Sequence, residues 1–181
     1  DYKDGVDNAG PSTGGVQSCG HRVVGNTFDN CTPNTISAPG AIALTRNTQN
    51  THKSQGHLVK GNTITRFATH GIKMLGSNYS LVEENSIDNQ NATSTQTFGG
   101  NVGGQFNHIW SGVTCNQDDC NHTTIRRNTI ANLDDTTCCT VGSPCPDGST
   151  SGCARGKGIW LDAGASDNII ESNLVRNIDG G

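Results

Sequence analysis

The apolar residues of this chain come in short bursts, separated by glycine, asparagine and other polar residues. Residues 157–178, KGIWLDAGASDNIIESNLVRNI, show the pattern in full: a short strand, a polar bend, a second strand, an Asn corner and a third strand. Bursts this brief are too closely punctuated for an amphipathic helix and favour strands. The pattern therefore predicts an all-β chain built from repeats of this unit.

Five segments align without gaps on one asparagine. They are VVGNTFDN (23–30), LVKGNTITR (58–66), LVEENSIDN (81–89), TIRRNTIAN (124–132) and IIESNLVRN (169–177). The aligned residues are Asn26, Asn62, Asn85, Asn128 and Asn173, at spacings of 36, 23, 43 and 45 residues. The shortest spacing gives the bare period, and the longer ones carry insertions. A period of this length is typical of a solenoid.

Each column of the alignment has a physical interpretation. Three residues before the Asn stand Val23, Val59, Val82, Ile125 and Ile170, and two residues after it stand Phe28, Ile64, Ile87, Ile130 and Val175. We expect these ten to point inward and build a thin core. The Asn suits a bend with left-handed geometry, and stacked Asn amides are expected to form a hydrogen-bonded ladder.

An outward column lies two residues before each Asn. It alternates in charge for most of its length: Val24, Lys60, Glu83, Arg126 and Glu171. Residues in register on neighbouring strands lie close enough to pair. We expect exposed cross-strand ion pairs here, more useful for register than for stability.

A further strand precedes each of the last four segments: AIAL (41–44), GIKM (71–74), HIWS (108–111) and GIWL (158–161). Three short strands per repeat are therefore expected, with long loops at 91–106 and 133–157. Residues 1–20 are interpreted as a polar lead-in, and 21–181 as the repeat domain.

Three strands per repeat, an Asn ladder between the second and third, and variable loops after the third resemble the right-handed parallel β-helix of the pectate-lyase-like superfamily. That superfamily comprises polysaccharide lyases, pectin hydrolases and epimerases. The resemblance covers residues 21–178 and implies about five coils. It speaks to architecture far more than to activity, because the matching residues belong to the scaffold.

The amino-acid composition also favours one class of protein over others. Only 31% of the 181 residues are hydrophobic, but the net charge is only −4, so a thin-cored solenoid fits better than disorder. A pI of 5.8 with 12 Lys and Arg residues argues against a nucleic-acid partner, and no apolar run is long enough to span a membrane.

Eight cysteines lack the paired spacing of zinc sites and are interpreted as disulfide formers: Cys19, Cys31, Cys115, Cys120, Cys138, Cys139, Cys145 and Cys153. Cys115 and Cys120 are expected to staple one loop, and the cluster 138–153 another. Disulfides predict a processed, secreted or cell-surface chain.

Candidate chemistry lies on the outward column of the first strand, aligned as Ala43, Lys73, Trp110 and Trp160. Two indoles side by side would offer a platform for the apolar face of a sugar ring. The β-helix resemblance implies a substrate groove along this strand, with His108, Arg155, Lys157 and Asp162 close by. The alternative is that both Trp residues pack beneath the Cys-rich loop.

A lyase needs a cation to neutralise a uronate carboxylate and a base to remove the adjacent proton. Lys73, with His70 or His108, is the candidate for base and neutraliser, and Arg155 or Lys157 the candidate for holding carboxylate. No cofactor is required, but Ca²⁺ is an alternative electrophile where carboxylates converge, with Asp118 and Asp119 as candidate ligands. Asp134 and Asp135 form another acidic pair, and solvated loop acids are the plainer interpretation of both.

The segment CNQDDC (115–120) is similar to the Asp-Asp element of polygalacturonases, which are glycoside hydrolases. Its companions, a Gly-His-Gly motif and an Arg-Ile-Lys motif, are absent from this sequence. The favoured interpretation of this segment is therefore a chance similarity in a loop closed by a disulfide, and hydrolysis is the second choice of reaction, behind lyase chemistry.

Two functions remain. The first is a secreted protein that binds an acidic polysaccharide, with lyase-type cleavage left open. The second is a non-catalytic structural or adhesive β-helix, whose copies stack end to end as a filament. Strand edges at the ends of a repeat array favour such homotypic contacts.

Overall fold

The computed structural model describes residues 6–9, 20–29, 40–45, 54–67, 69–89, 109–116, 120–133, 157–161 and 164–178. Within these ranges the protein is all β, and every strand pairing is parallel. No helix in this part of the chain is long and apolar enough to cross a membrane.

Three sheets of five short strands dominate the fold. The first sheet contains β1 (Val6–Ala9), β4 (Gly40–Thr45), β8 (Thr69–Leu75), β12 (Ile109–Asn116) and β15 (Lys157–Leu161). The second contains β2 (Arg22–Val24), β6 (Leu58–Lys60), β10 (Leu81–Glu83), β13 (Thr124–Arg126) and β16 (Ile169–Glu171). The third contains β3 (Thr27–Asp29), β7 (Thr63–Thr65), β11 (Ser86–Asp88), β14 (Thr129–Leu133) and β17 (Leu174–Ile178). A small fourth sheet pairs β5 (Ser54–Gln55) with β9 (Ser77–Asn78).

From β4 onward the chain visits the first, second and third sheets in the same order four times. We call each passage a cycle. Strands of successive cycles are neighbours in each of the three sheets. The three predicted strands are present in each cycle, and β5 and β9 add a fourth, two-residue strand to two of the cycles.

Strand β1 differs from the sequence prediction. Val6–Ala9 pairs with Ile42–Thr45 of β4, although the sequence placed residues 1–20 in a polar lead-in. The loop at 91–106 lies outside the described residues, as does most of the loop at 133–157, whose ends belong to β14 and β15.

The core lies between the sheets and contains the predicted inward columns together with first-sheet residues such as Ile42, Ile72 and Val113. Val59, Val82 and Ile125 are in register on the second sheet and have no solvent exposure. The third-sheet column of Ile64, Ile87 and Ile130 is buried in the same way.

The predicted inward columns continue into the last cycle, where Ile170 pairs with Ile125 and Val175 pairs with Ile130. Their burial does not continue: Ile170 is 46% exposed and Val175 is 43% exposed, whereas Val23 at the opposite edge of the second sheet is 5% exposed. No further described strand stacks on β16 and β17 at this end of the core.

The asparagine ladder is confirmed in every cycle. The backbone N–H and Nδ2 of each ladder Asn both donate to Oδ1 of the next, over distances of 2.9 to 3.2 Å. Nδ2 of Asn62, Asn85 and Asn128 also donates to the backbone carbonyl of Val23, Val59 and Val82 respectively. The ladder therefore satisfies buried polar groups at the bend between the second and third sheets.

The left-handed geometry predicted for the ladder Asn belongs instead to the residue before it. Positive φ angles of 52° to 68° occur at Gly25, Gly61, Glu84, Arg127 and Ser172. A second left-handed column precedes the second sheet, at Gly20, Gly56, Tyr79, His122 and Asp167, with φ from 51° to 72°. Each bend turns on the residue that leads into the ladder rather than on the ladder residue.

A second ladder runs five residues before the first. In the chain order His21, His57, Ser80, Thr123 and Asn168, each backbone N–H donates to a side-chain acceptor of the next, over 2.8 to 3.4 Å. His57 is buried within it. Burial, and then the neighbouring His21, lower the pKa of His57 to about 4.

A glycine column marks where the first sheet approaches the third. A Cβ at Gly71 would lie 2.8 Å from Cγ2 of Ile87, and a Cβ at Gly112 or Gly158 would overlap Ile130 or Val175. Each glycine thus meets the third-sheet core residue of its own cycle. Close backbone approach demands glycine here.

The predicted cross-strand ion pairs of the second sheet are present around Glu83, but this carboxylate is buried, whereas the pairs were expected to be exposed. This carboxylate is 6% exposed and contacts Lys60 at 2.9 Å, Arg126 at 2.9 Å and Arg127 at 2.6 Å. Hydrogen bonding from Lys60, more than any other cause, lowers the pKa of Glu83. Arg126 also reaches Glu171 at 3.8 Å, which continues the alternation of charge.

Candidate functional site

The register of the first sheet corrects the predicted Trp column. Thr114 of β12 pairs with Lys73 on one side and with Trp160 on the other, so the column reads Lys73, Thr114, Trp160. Trp110 lies at an irregularity between Ile109 and Ser111, away from this row. The side chain of Trp110 lies outside the described residues, and its pairing with Trp160 is wrong.

Thr114 lies between Lys73 and Trp160 in the column but is not exposed. It is fully buried, and its Oγ1 donates to the backbone carbonyl of Trp160 at 3.3 Å. Lys73 and Trp160 are both half-buried. The column therefore presents one amine and one indole on either side of a hydroxyl that belongs to the scaffold.

Lys157 lies over Trp160. Its Nζ is 3.7 Å from the centroid of the indole, which is a cation–π contact. Lys157 is exposed, and both residues belong to β15. An ammonium and an indole are thereby combined in one surface feature.

His70 of β8 lies close to this cluster. Its position is in register with Ser111, which pairs with Lys157 on the other side. His70 is 1% exposed, and its pKa is lowered to about 3 by burial first and by Lys73 and Lys157 second. The imidazole is therefore neutral at ordinary pH, but it lies beneath the surface.

Several predicted site residues lie outside the described residues: His108, Arg155, Asp162, Asp118 and Asp119. The same holds for Cys19, Cys31, Cys138, Cys139, Cys145 and Cys153. Across the ranges given above, no three His, Cys, Asp or Glu side chains converge as metal ligands. The calcium hypothesis stays a prediction.

The disulfide predicted between Cys115 and Cys120 is present, with the two Cα atoms 5.7 Å apart. It joins strand β12 to the bend that leads into the second sheet. Both cysteines are buried. The bridge closes a short loop directly after Thr114, and so holds one side of the candidate surface.

Sequence reasoning missed a pair of stacked rings on the turn into the second sheet. The rings of Tyr79 and His122 have centroids 4.7 Å apart and planes 8° apart. Nε2 of His122 lies 4.0 Å from Oδ2 of Asp167 in the next cycle. The only signal in the sequence is that these three residues stand six positions before a ladder Asn.

No family model matches this chain, and searches of curated proteins and of solved structures return no significant match.

Proposed function

We propose that the chain is a right-handed parallel β-helix of about five coils, and that its first-sheet surface binds an acidic polysaccharide outside the cell. The repeated order of the three parallel sheets and the Asn ladder support the solenoid. Right-handedness follows from the general preference of parallel crossover connections. The Cys115–Cys120 disulfide supports an oxidising compartment.

The observation that carries the binding proposal is the ammonium of Lys157 over the ring of Trp160. Lys73 lies in the same column, two strand spacings or about 10 Å away. An indole supports the apolar face of a sugar ring, while the two amines attract carboxylate or sulfate groups on the same polymer. Neutral glycans would use only the first of these interactions.

Binding is supported better than cleavage. A general base must reach the proton that it removes. His70 is neutral, as a base must be, but it is 1% exposed. Lys73 is half-buried and in reach of solvent, so a lyase reaction would depend on it.

The test is titration of the protein with polygalacturonate, alginate and chondroitin sulfate, with dextran as the neutral comparison. We expect Lys73→Ala and Lys157→Ala each to weaken binding about fivefold, and added salt to weaken it further. Lys60→Ala is the matched control, because it removes one lysine charge from the second sheet and should leave binding unchanged. Equal affinity for dextran, or an equal loss in Lys60→Ala, would contradict the proposal.

The same polymers report on cleavage through the ultraviolet absorbance of unsaturated products. Product that disappears in Lys73→Ala would make the protein a lyase. Binding without product would make it a binding protein.

A structural or adhesive function is the second candidate, and one observation favours it. The last cycle exposes Ile169, Ile170, Leu174 and Val175 next to the strand edges of β16 and β17. A second copy of the chain would cover such a surface. Because Val23 at the opposite edge is already buried, we expect a dimer rather than an open filament.

Sedimentation over a range of concentrations tests this second function. A dimer that Ile170→Asp dissociates supports it. A monomer at every concentration would remove it.

A further inference from the structure

Two aromatic rings occupy positions that the fold would give to glycine. In the left-handed column before the second sheet, Gly20 and Gly56 are followed by Tyr79 at φ 51° and His122 at φ 53°. Bulky side chains are uncommon in this conformation, which costs about 1–2 kcal/mol. Tyr79 is also 62% exposed, so its ring adds little to the core. Neither local geometry nor packing accounts for a tyrosine at this position.

Among the described residues, only one face of the Tyr79 ring has a stacked neighbour. His122 stacks on this face at 4.7 Å, which matches the spacing between strands. On the opposite side the next residue of the column is Gly56, whose backbone N–H donates to the carbonyl of Asn78 at 2.9 Å. Gly56 has no side chain to place against the ring, and neither has Gly20 beyond it. Within the described column, no side chain occupies the position beside the phenol ring on this side.

The backbone that carries the ring is fixed by its neighbours in the chain. Asn78 and Ser80 are both buried, and the N–H of Tyr79 donates to the carbonyl of Asn121 at 3.0 Å. Oδ1 of Asn78 in turn accepts the N–H of Asn121 at 2.9 Å. A ligand that stacks on this ring therefore has little additional backbone to order.

We propose that the face of Tyr79 opposite His122 binds one pyranose ring of a neutral glycan, seated over Gly56. A sugar ring offers an apolar face to the phenol ring and hydroxyl groups to the phenol O–H. The column carries no charge on the side of Gly56, since its acid, Asp167, lies beyond His122. The site lies on the turn into the second sheet and does not depend on the Lys73–Trp160 surface.

The experiment is nuclear magnetic resonance of the full chain with soluble oligosaccharides of cellulose, xylan and chitin. Adenosine monophosphate serves as a planar aromatic comparison. Tyr79→Phe assigns the ring signals, because the chain has only one other tyrosine, Tyr2. We expect at least one oligosaccharide to shift the Tyr79 ring signals, and Tyr79→Phe to keep most of the affinity.

Two variants remove the site in different ways. Tyr79→Asn deletes the ring, and Gly56→Asn places a side chain in the position beside it, while Asn tolerates the left-handed conformation in both. Each should weaken binding at least tenfold. Gly61→Asn is the matched control, because Gly61 has φ 62° and no atom within 4 Å of an added Cβ, but belongs to the other column.

The proposal is overturned if no oligosaccharide shifts the ring signals, if only adenosine monophosphate does, or if Gly56→Asn binds as the unaltered chain does. Lys73→Ala should leave this site intact. The outcome is therefore independent of the acidic-polysaccharide titration.

Discussion

The backbone N–H and the Nδ2 of Asn85 converge on a single acceptor, Oδ1 of Asn128, at 3.0 and 2.9 Å. The second proton of Nδ2 is used as well, because it reaches the carbonyl of Val59 at 3.0 Å. One side chain thus joins its own cycle to the preceding and the following cycle and closes a bend. A shift of register by one residue would break all three bonds together.

The first prediction concerns this ladder. Asn85→Ala leaves the N–H and Nδ2 of Asn62 without their acceptor and the carbonyl of Val59 without its donor, all of them buried. We expect a loss of about 3 kcal/mol in the free energy of unfolding, measured by urea denaturation. Asn26→Ala is the control, because Asn26 is exposed and donates without accepting from a described ladder residue; it should cost about 1 kcal/mol or less. Equal losses would show that the ladder is not a buried network.

The second prediction concerns the glycine column. Gly112→Ala places a methyl group against Cγ2 of Ile130 and 3.0 Å from the carbonyl of Gly158. Overpacking of this kind costs about 1–3 kcal/mol. Thermal unfolding of the double variant with Ile130→Ala should show less loss than the sum of the two single variants, because the cavity receives the methyl group. A loss of stability in the double variant equal to the sum of the two single losses would contradict the contact between residue 112 and Ile130.

The third prediction concerns pH. His57 and His70 have pKa values of about 4 and about 3 in the folded chain, below the ordinary value of 6.5. The unfolded chain therefore binds more protons as the pH falls, and stability that is present above pH 6.5 is lost progressively towards pH 4. The loss should be on the order of a few kcal/mol, read from urea midpoints across this range.

Two variants separate the contribution of His57 from that of other groups. His57→Ser imitates Ser80 at the same ladder position and should flatten the pH dependence. His122→Asn removes an exposed histidine and serves as the control. If the dependence of stability on pH is the same in His57→Ser as in the unaltered chain, groups other than His57 cause it.

The fourth prediction concerns Glu83. Glu83→Ala removes the carboxylate that Lys60, Arg126 and Arg127 share. Glu84 still contacts Lys60 and Arg127, but the repulsion among the three cations rises and should lower the melting temperature. Glu171→Ala removes a carboxylate that is half exposed and, among the described side chains, pairs with Arg126 alone, so it should have a smaller effect. Salt should reduce the difference between the two variants, because it screens the repulsion. A difference that is insensitive to salt would point to packing instead.

The second and third strands of each cycle were predictable because a single asparagine fixes their register. Val59, Ile64 and Asn62 occupy the predicted columns with the predicted burial. The ion pair between Lys60 and Glu83 followed from the same alignment. The location of the left-handed residue did not follow, because Gly25 and Gly61 give way to Glu84, Arg127 and Ser172 farther along.

The first strand was misaligned in one cycle because Ile-Trp occurs at both 109–110 and 159–160. Aligning the first strands on glycine gives the correct register, because Gly71, Gly112 and Gly158 precede their ladder Asn by 14, 16 and 15 residues. The second ladder was hidden for another reason. His57, Ser80, Thr123 and Asn168 share only the ability to accept a hydrogen bond, so no residue identity repeats.

The two ladders are always five residues apart, whereas successive ladder asparagines are 23 to 45 residues apart. The number of residues therefore varies only outside the stretch that links a residue of the second ladder to the ladder Asn of the same cycle. Insertions outside this stretch leave the register of the two ladders unchanged. A recognition loop grafted between β11 and β12, or between β14 and β15, would change what the protein contacts while every ladder residue keeps its place.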